Sequence, residues 1–101
     1  MVAPRLESLP RRIVAGHDVS VAAGFRARLS GLAFLDREQA GPGLLIPRCA
    51  AVHTFGMRFP LDIYFLDPDG TVLATRRAVP PRRFVAHRGA AAVLELPARG
   101  S

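Results

Sequence analysis

The clearest pattern of apolar and polar positions is LDIYFL, residues 61–66, in which apolar and more polar side chains alternate. A period of two is the period of a strand, and six residues are too few for a stable helix. DPDG, residues 67–70, contains the proline and the glycine that favour a tight turn. TVLATRR, residues 71–77, then returns, so the sequence predicts a β-hairpin over residues 61–77.

Shorter apolar runs, several of them ended by proline or glycine, predict further strands on both sides of the hairpin. Together with the hairpin they predict a mainly β fold, with α+β as the most helical alternative. The predicted additional strands are residues 11–15, 44–46, 51–55, 82–87 and 92–96.

One stretch has the period of a helix instead. Its N-cap is predicted at Asp18 or Ser20, and the helix is predicted near residues 20–35. The apolar stripe of this helix has spacings of four, four and three residues: Val21, Phe25, Leu29 and Leu32.

The length of 101 residues predicts a single domain, 1–101, in which residues 1–10 form a flexible lead-in. No apolar run approaches 18 residues, so no transmembrane helix and no membrane partner are expected. The N-terminal residues have no apolar signal-peptide region. The single cysteine cannot form an internal disulfide, and the expected compartment is the cytoplasm.

The formal net charge is +6, and all 14 basic residues are arginine. A GC-rich coding bias would produce this composition without selection for any partner. Nucleic-acid binding calls for basic residues in a stripe with interleaved aromatic side chains, whereas these arginines are scattered along the chain. Nucleic acid is therefore an unlikely partner from the sequence.

Several short motifs stand in a particular order along the chain: Arg28 with Gly31-Leu32, Pro60-Leu61-Asp62, Phe65-Leu66-Asp67 with Gly70, and Val93 to Pro97. Their order and spacing resemble the domain-of-unknown-function family numbered 192, over about residues 12–98. The resemblance implies a compact, β-rich, jelly-roll-like domain, and it implies no assigned activity. We therefore expect a small jelly-roll-like or barrel-like antiparallel β-domain with one helix near residues 20–35.

Asp62 is the most informative polar residue, because it lies in a strand whose neighbours are apolar. A buried carboxylate needs hydrogen bonds or a cation, so we expect a partner on the returning strand. If Asp67 pairs with Thr71, Asp62 lies opposite Arg76. If the turn has no bulge, Asp62 instead faces Thr75.

We consider two roles for Asp62. In the first, it forms only a structural ion pair or hydrogen-bond network. In the second, it lies in a polar pocket, and the domain is a non-enzymatic binding module for a small anionic or sugar-like ligand or for a protein partner. The predicted ligand-binding residues are His53, Arg58, Asp62, Tyr64 and Arg76.

The alternative function is a hydrolase-like enzyme that uses His53 and Asp62, with Cys49 as a further candidate. On a straight strand, however, residues four apart such as Cys49 and His53 are about 13 Å apart. Cys49 is therefore predicted to be a small buried residue. No ligand spacing for a metal and no cofactor motif is present, and His17 and His87 receive no role.

Overall fold

The structure is a computed structural model that describes residues 2–22, 24, 27 and 31–98. Its elements are α1 (Pro4–Glu7), β1 (Arg11–Val14), β2 (His17–Val21), a 3₁₀ helix (Arg37–Gln39), β3 (Leu44–Pro47), β4 (Ala51–His53), β5 (Leu61–Leu66), β6 (Val72–Val79), β7 (Phe84–Ala86) and β8 (Ala92–Pro97).

Six of these strands form one sheet in the order β1-β2-β3-β8-β5-β6, and β4 pairs with β7 in a small second sheet. The prediction of a mainly β fold is confirmed. The expectation of a wholly antiparallel domain is wrong for one pair, because β2 and β3 run parallel. Within the described residues the strands do not close into a barrel. In that same part of the chain, no helix is long and apolar enough to cross a membrane.

The central hairpin is β5, the turn and β6, as the alternation predicts. The N–H of Asp67 donates to the carbonyl of Thr71 over 2.9 Å. The carboxylate of Asp67 also accepts the N–H groups of Asp69 and Thr71, each over 2.9 Å. The side chain of Asp67 therefore closes the proline-containing turn that joins β5 to β6.

The helix predicted near residues 20–35 has the wrong beginning. Asp18 and Ser20, the predicted N-caps, lie in β2, and residues 31–34 form a turn. Ala27 is helical, and its carbonyl accepts the N–H of Gly31 over 3.0 Å. The stripe positions 25 and 29 lie outside the described residues.

Residues 2–10 pack against the domain, whereas the sequence suggested a flexible lead-in. Leu6 of α1 is buried in the main core. The guanidinium of Arg5 donates to the carbonyls of Gly31 and Ala33 over 3.1 and 2.7 Å. The burial of Leu6 and these hydrogen bonds together hold the segment in place. Both join residues that are distant in the chain, so no local sequence pattern indicates them.

The large sheet has two apolar faces because side chains alternate along each strand. On β5, Leu61, Ile63 and Phe65 face the main core, which is covered by α1, by residues 31–40 and by the small sheet. Leu66 belongs to a second apolar cluster on the opposite face, and Tyr64 packs against that cluster.

We expect Phe65→Ala to lower the free energy of unfolding by about 3–5 kcal/mol, because Phe65 is fully buried in the main core. Phe84→Ala is the matched control: Phe84 is largely exposed, so its loss should change stability by less than about 0.5 kcal/mol. Chemical denaturation measures both. Equal melting of Phe65→Ala and the parent protein would show that β5 presents the opposite face to the core.

Candidate functional site

Asp62 lies opposite a β-bulge in β6. Leu61 pairs with Val79 and Ile63 pairs with Arg76, so Arg77 and Ala78 together stand opposite the single residue Asp62. The predicted partner Arg76 is therefore wrong, and Thr75 pairs with Tyr64. Sequence alone does not reveal a bulge of this kind, because one inserted residue leaves both strands with ordinary composition.

The carboxylate of Asp62 is buried and hydrogen-bonded, as expected. Its Oδ1 accepts the backbone N–H of Ala78 over 2.8 Å. The Nε of Arg77 lies 3.8 Å from the same oxygen, and the side chain of Arg77 is 69% exposed against 8% for Asp62. An ion pair with such an exposed arginine contributes little, so the backbone hydrogen bond is the stronger restraint.

Ala78 has a φ of +50°, in the left-handed region that costs a residue with a Cβ more than a glycine. The hydrogen bond to Asp62 compensates for this strain, since it satisfies the N–H that the bulge removes from the ladder. The carboxylate and the bulge therefore support each other.

A cleft of about 570 Å³ opens beside this bulge. Asp62 and Tyr64 share the cleft wall because they are two apart on β5. The cleft is lined by His17, Gly41, Pro42, Asp62, Tyr64, Arg77, Leu96 and Pro97.

His17 and Arg77 are the polar residues of the cleft lining that sequence reasoning missed. His17 begins β2 and is far from Asp62 in the chain, so no local pattern connects the two. Arg77 was passed over in favour of Arg76, because the expected register ran unbroken from the turn. The hairpin instead has an earlier irregularity between the pairs Leu66–Val72 and Phe65–Ala74, which shifts every later partner by one residue. Only that register shift near the turn could have identified Arg77, and it has no sequence signal here.

Three of the predicted site residues lie elsewhere. His53 is exposed on β4, and its Nδ1 accepts the N–H of Phe55 over 3.2 Å. Arg58 pairs with Asp36 over 3.2 Å at the surface. Arg76 is exposed and donates to the carbonyl of its neighbour in β6. The structure thus brings Asp62 and Tyr64 together, but it does not bring these three residues to the cleft.

Cys49 is half-buried, which corrects the expectation of a fully buried side chain. Its thiol donates to the carbonyl of Ala51 over 3.0 Å. In residues 2–22, 24, 27 and 31–98, no three His, Cys, Asp or Glu side chains are grouped closely enough to hold a metal ion.

Glu95 is a second buried carboxylate, and sequence reasoning missed it. It lies on β8, opposite Leu44 on one side and Ile63 on the other, and it faces the main core. Its Oε1 has no hydrogen-bond partner in the described part of the chain. Burial raises the pKa of Glu95 from 4.5 to about 7. The VLELP motif carried no sign of this, because the alternation around it is that of an ordinary buried strand.

Gly31 approaches the carboxyl group of Glu95 closely. A Cβ at Gly31 would lie 3.1 Å from Oε1, and the φ of Gly31 is +52°. A larger residue would therefore meet both backbone strain and a buried carboxyl group. The contact explains why a glycine suits this position.

The chain belongs to the family DUF192, whose description is "Uncharacterized ACR" and whose model matches residues 10–100. The resemblance inferred from the short motifs is thereby confirmed. No curated protein matches the chain.

Two solved structures are similar to this one. A putative transcription regulator from Sinorhizobium meliloti 1021 is 27% identical with a TM-score of 0.71, over 87% of this chain and 78% of that one. A protein of unknown function from Novosphingobium aromaticivorans DSM 12444 is 20% identical with a TM-score of 0.64, over 97% of this chain and 88% of that one. The second likeness shows the fold alone.

We expect the ionisation of Glu95 to lower the free energy of unfolding of the domain as the pH rises from about 4.5 to about 7. The folded-state pKa lies above the unfolded value, so the folded protein binds more protons in this window, and the cost of burying the charge is complete above pH 7. The rise of the Glu95 pKa from 4.5 to about 7 corresponds to a loss of about 3 kcal/mol in the free energy of unfolding.

Urea denaturation of the parent protein and of Glu95→Gln at several pH values measures this effect. Glu95→Gln should lack this part of the pH dependence and should be the more stable protein above pH 7. Glu38→Gln, at an exposed position of the 3₁₀ helix, is the matched control and should follow the parent. The same pH dependence in all three proteins would contradict the assignment.

Proposed function

We propose that the domain is a non-enzymatic binding module whose cleft beside Asp62 takes a small sugar-like ligand. The observation that supports it most is a nearly buried carboxylate that opens onto a cleft of about 570 Å³. Ligand pockets commonly fall between about 300 and 1,000 Å³, and they combine apolar walls with a few convergent polar groups.

The carboxylate of Asp62 retains capacity to accept a further hydrogen bond. Among the described residues, both of its polar contacts involve Oδ1: the N–H of Ala78 and the Nε of Arg77. Oδ2 is therefore left to accept a donor from a ligand, since an ionised carboxylate accepts about four hydrogen bonds.

The other polar groups of the cleft complement this acceptor. The guanidinium of Arg77 donates only, whereas the phenol of Tyr64 and the imidazole of His17 can donate and accept. Neighbouring hydroxyl groups on one ligand also donate and accept. A polyhydroxylated molecule therefore matches this set of groups.

The charge arrangement favours a sugar-like ligand over an anionic one. The Nε of Arg77 lies 3.8 Å from the Oδ1 of Asp62, so a carboxylate already opposes the positive charge that would attract an anion. The apolar wall of Pro42, Leu96 and Pro97 suits the C–H face of a sugar ring.

The hydrolase-like alternative has less support from the geometry. It needs His53 and Asp62 within hydrogen-bond reach. His53 instead accepts the N–H of Phe55, and Asp62 accepts the N–H of Ala78. The relative described as a putative transcription regulator supplies no ligand, so it adds no residue to this proposal.

Titration of the ¹⁵N-labelled protein with D-ribose, D-glucose and inorganic phosphate tests the proposal by NMR. We expect a sugar to shift the amide signals of β5 and of residues 77 and 78. Arg77→Gln should weaken this binding about 10- to 150-fold, as expected for a hydrogen bond from a charged donor. Arg76→Gln, on the same strand but outside the cleft, should leave it unchanged.

Two results would contradict a sugar-like ligand in this cleft. One is that neither sugar shifts the β5 signals or that phosphate alone does so. The other is that Arg76→Gln weakens binding as much as Arg77→Gln, because the charge of the surface and not the cleft would then be responsible.

A further inference from the structure

Among the described residues, three phenylalanines are exposed, and they lie in one region of the surface. Phe34 is 66% exposed, Phe55 53% and Phe84 71%, whereas Phe59 and Phe65 are buried. Large aromatic side chains exposed together are uncommon on a small domain and indicate an interaction site. We call the surface formed by Phe34, His53, Phe55 and Phe84 the aromatic surface.

The small sheet brings these rings together. His53 of β4 pairs with Phe84 of β7, and their neighbours Val52 and Val85 face the protein interior, so His53 and Phe84 share the outer side. The rings of His53 and Phe55 are 5.8 Å apart between centroids.

Phe34 joins the aromatic surface through Gly56, the residue after Phe55. The N–H of Phe34 donates to the carbonyl of Gly56 over 2.8 Å. A Cβ at Gly56 would lie 2.9 Å from the Cζ of Phe34, so the ring lies directly over the glycine. The four rings therefore belong to one continuous patch.

Thr54 makes the support of this patch rigid. Thr54 is fully buried, and its hydroxyl donates to the carbonyl of Pro80 over 2.7 Å and accepts the N–H of Arg83 over 2.8 Å. Its backbone N–H donates to the carbonyl of Arg83, and its carbonyl accepts the N–H of Arg82. These four hydrogen bonds fix the segment that carries the aromatic residues against the segment that carries the arginines.

One residue of the aromatic surface and one residue close to it in the chain have a strained backbone. Phe34 has a φ of +65° and Arg82 a φ of +67°, in the region that residues with a Cβ seldom adopt. Strain of this kind persists where the surrounding structure holds it, and it is concentrated at functional sites.

The charge of the surroundings is positive. Arg82 and Arg83 directly precede Phe84, and in the described part of the chain neither of them forms an ion pair with a carboxylate. Arg58 lies beyond Gly56 and is paired with Asp36. Nη1 of Arg83 donates to the carbonyl of Arg82 over 3.4 Å, so both arginines keep donors for an anion next to Phe84 in the chain.

We propose that the aromatic surface binds single-stranded nucleic acid. Bases stack on Phe55 and Phe84, and Arg82 and Arg83 contact the phosphates. Basic side chains beside exposed aromatic rings are the combination that single strands require, because every base has a face that can stack and every linkage carries a charge. The sequence argued against nucleic acid because its arginines are scattered along the chain. Arg82 and Arg83 directly precede Phe84, however, and the fold brings Phe84 beside the other rings of the aromatic surface.

Fluorescence anisotropy with labelled dT₁₅ and rU₁₅ at low salt tests the proposal, and the two strands distinguish DNA from RNA. We expect the logarithm of the association constant to fall linearly with the logarithm of the salt concentration, with a slope of about −0.7 for each phosphate contacted. Phe55→Ala and Phe84→Ala should each weaken binding about 5- to 150-fold. A 15-base-pair duplex should bind more weakly than the single strands.

Matched variants distinguish base stacking at the aromatic surface from nonspecific binding through the net charge or through any exposed apolar side chain. Arg83→Gln should weaken binding, whereas Arg12→Gln, on the other sheet, removes the same charge and should have little effect. Phe84→Leu keeps an apolar side chain without a π face and should behave like Phe84→Ala. Ile13→Ala removes an exposed apolar side chain of β1 and should have no effect.

The chain contains no tryptophan, so Phe84→Trp introduces a single reporter at the surface. Its fluorescence should be quenched by dT₁₅ or rU₁₅ and should be unaffected by polyglutamate. The proposal is overturned by any of three results: neither strand binds at low salt, duplex or polyglutamate binds as well as the single strands, or Arg12→Gln weakens binding as much as Arg83→Gln while the phenylalanine variants bind normally.

Discussion

The hydrogen bond from the N–H of Ala78 to the carboxylate of Asp62 is the interaction on which the geometry of the cleft depends. An unpaired carboxylate at this depth would be costly, and so would an unpaired N–H in the bulge. Each group satisfies the other. The register shift between Phe65 and Leu66 determines that Arg77 and not Arg76 lies opposite Asp62, and the bulge adds Ala78 as the hydrogen-bond donor.

Asp62 and Glu95 show two outcomes for a carboxylate in the same sheet. Asp62 lies on the face that carries the second apolar cluster, and it has a backbone donor and access to the cleft. Glu95 lies on the face of the main core, and its Oε1 has no donor among the described residues. Burial without a donor disfavours the charged form, which is why its pKa is raised to about 7. The difference follows from which face of the sheet each residue occupies.

The sequence predicted what depends on local pattern. The alternation of residues 61–66 and the DPDG turn identified the central hairpin, and burial of Asp62 followed from its apolar neighbours. The bulge was not predictable, because register is decided by the packing of β5 against β6 and β8 together. The helical stripe beginning at Val21 misled for a related reason: Val21 pairs with Leu45 in a parallel ladder, and this tertiary contact outweighs helical periodicity.

Contacts between distant segments account for the remaining features. His17 reaches the cleft, and Phe34 and Phe84 meet around His53 and Phe55, only through the fold. No spacing along the chain connects these residues, so sequence reasoning placed His53 with Asp62 and left His17 without a role. The two candidate surfaces are therefore products of topology more than of motifs.

Hydrogen exchange at the amide of Ala78 tests the central claim most directly, because that amide has the side chain of Asp62 as its acceptor. In the folded protein the amide should be protected, and Asp62→Ala should reduce its protection at least about tenfold relative to the amide of Phe65 in the same protein. The Phe65 amide corrects for any loss of global stability, since it lies in β5 between two neighbouring strands. If Ala78 remains as protected in Asp62→Ala as in the parent protein, the carboxylate does not hold the bulge, and the account of the cleft is wrong.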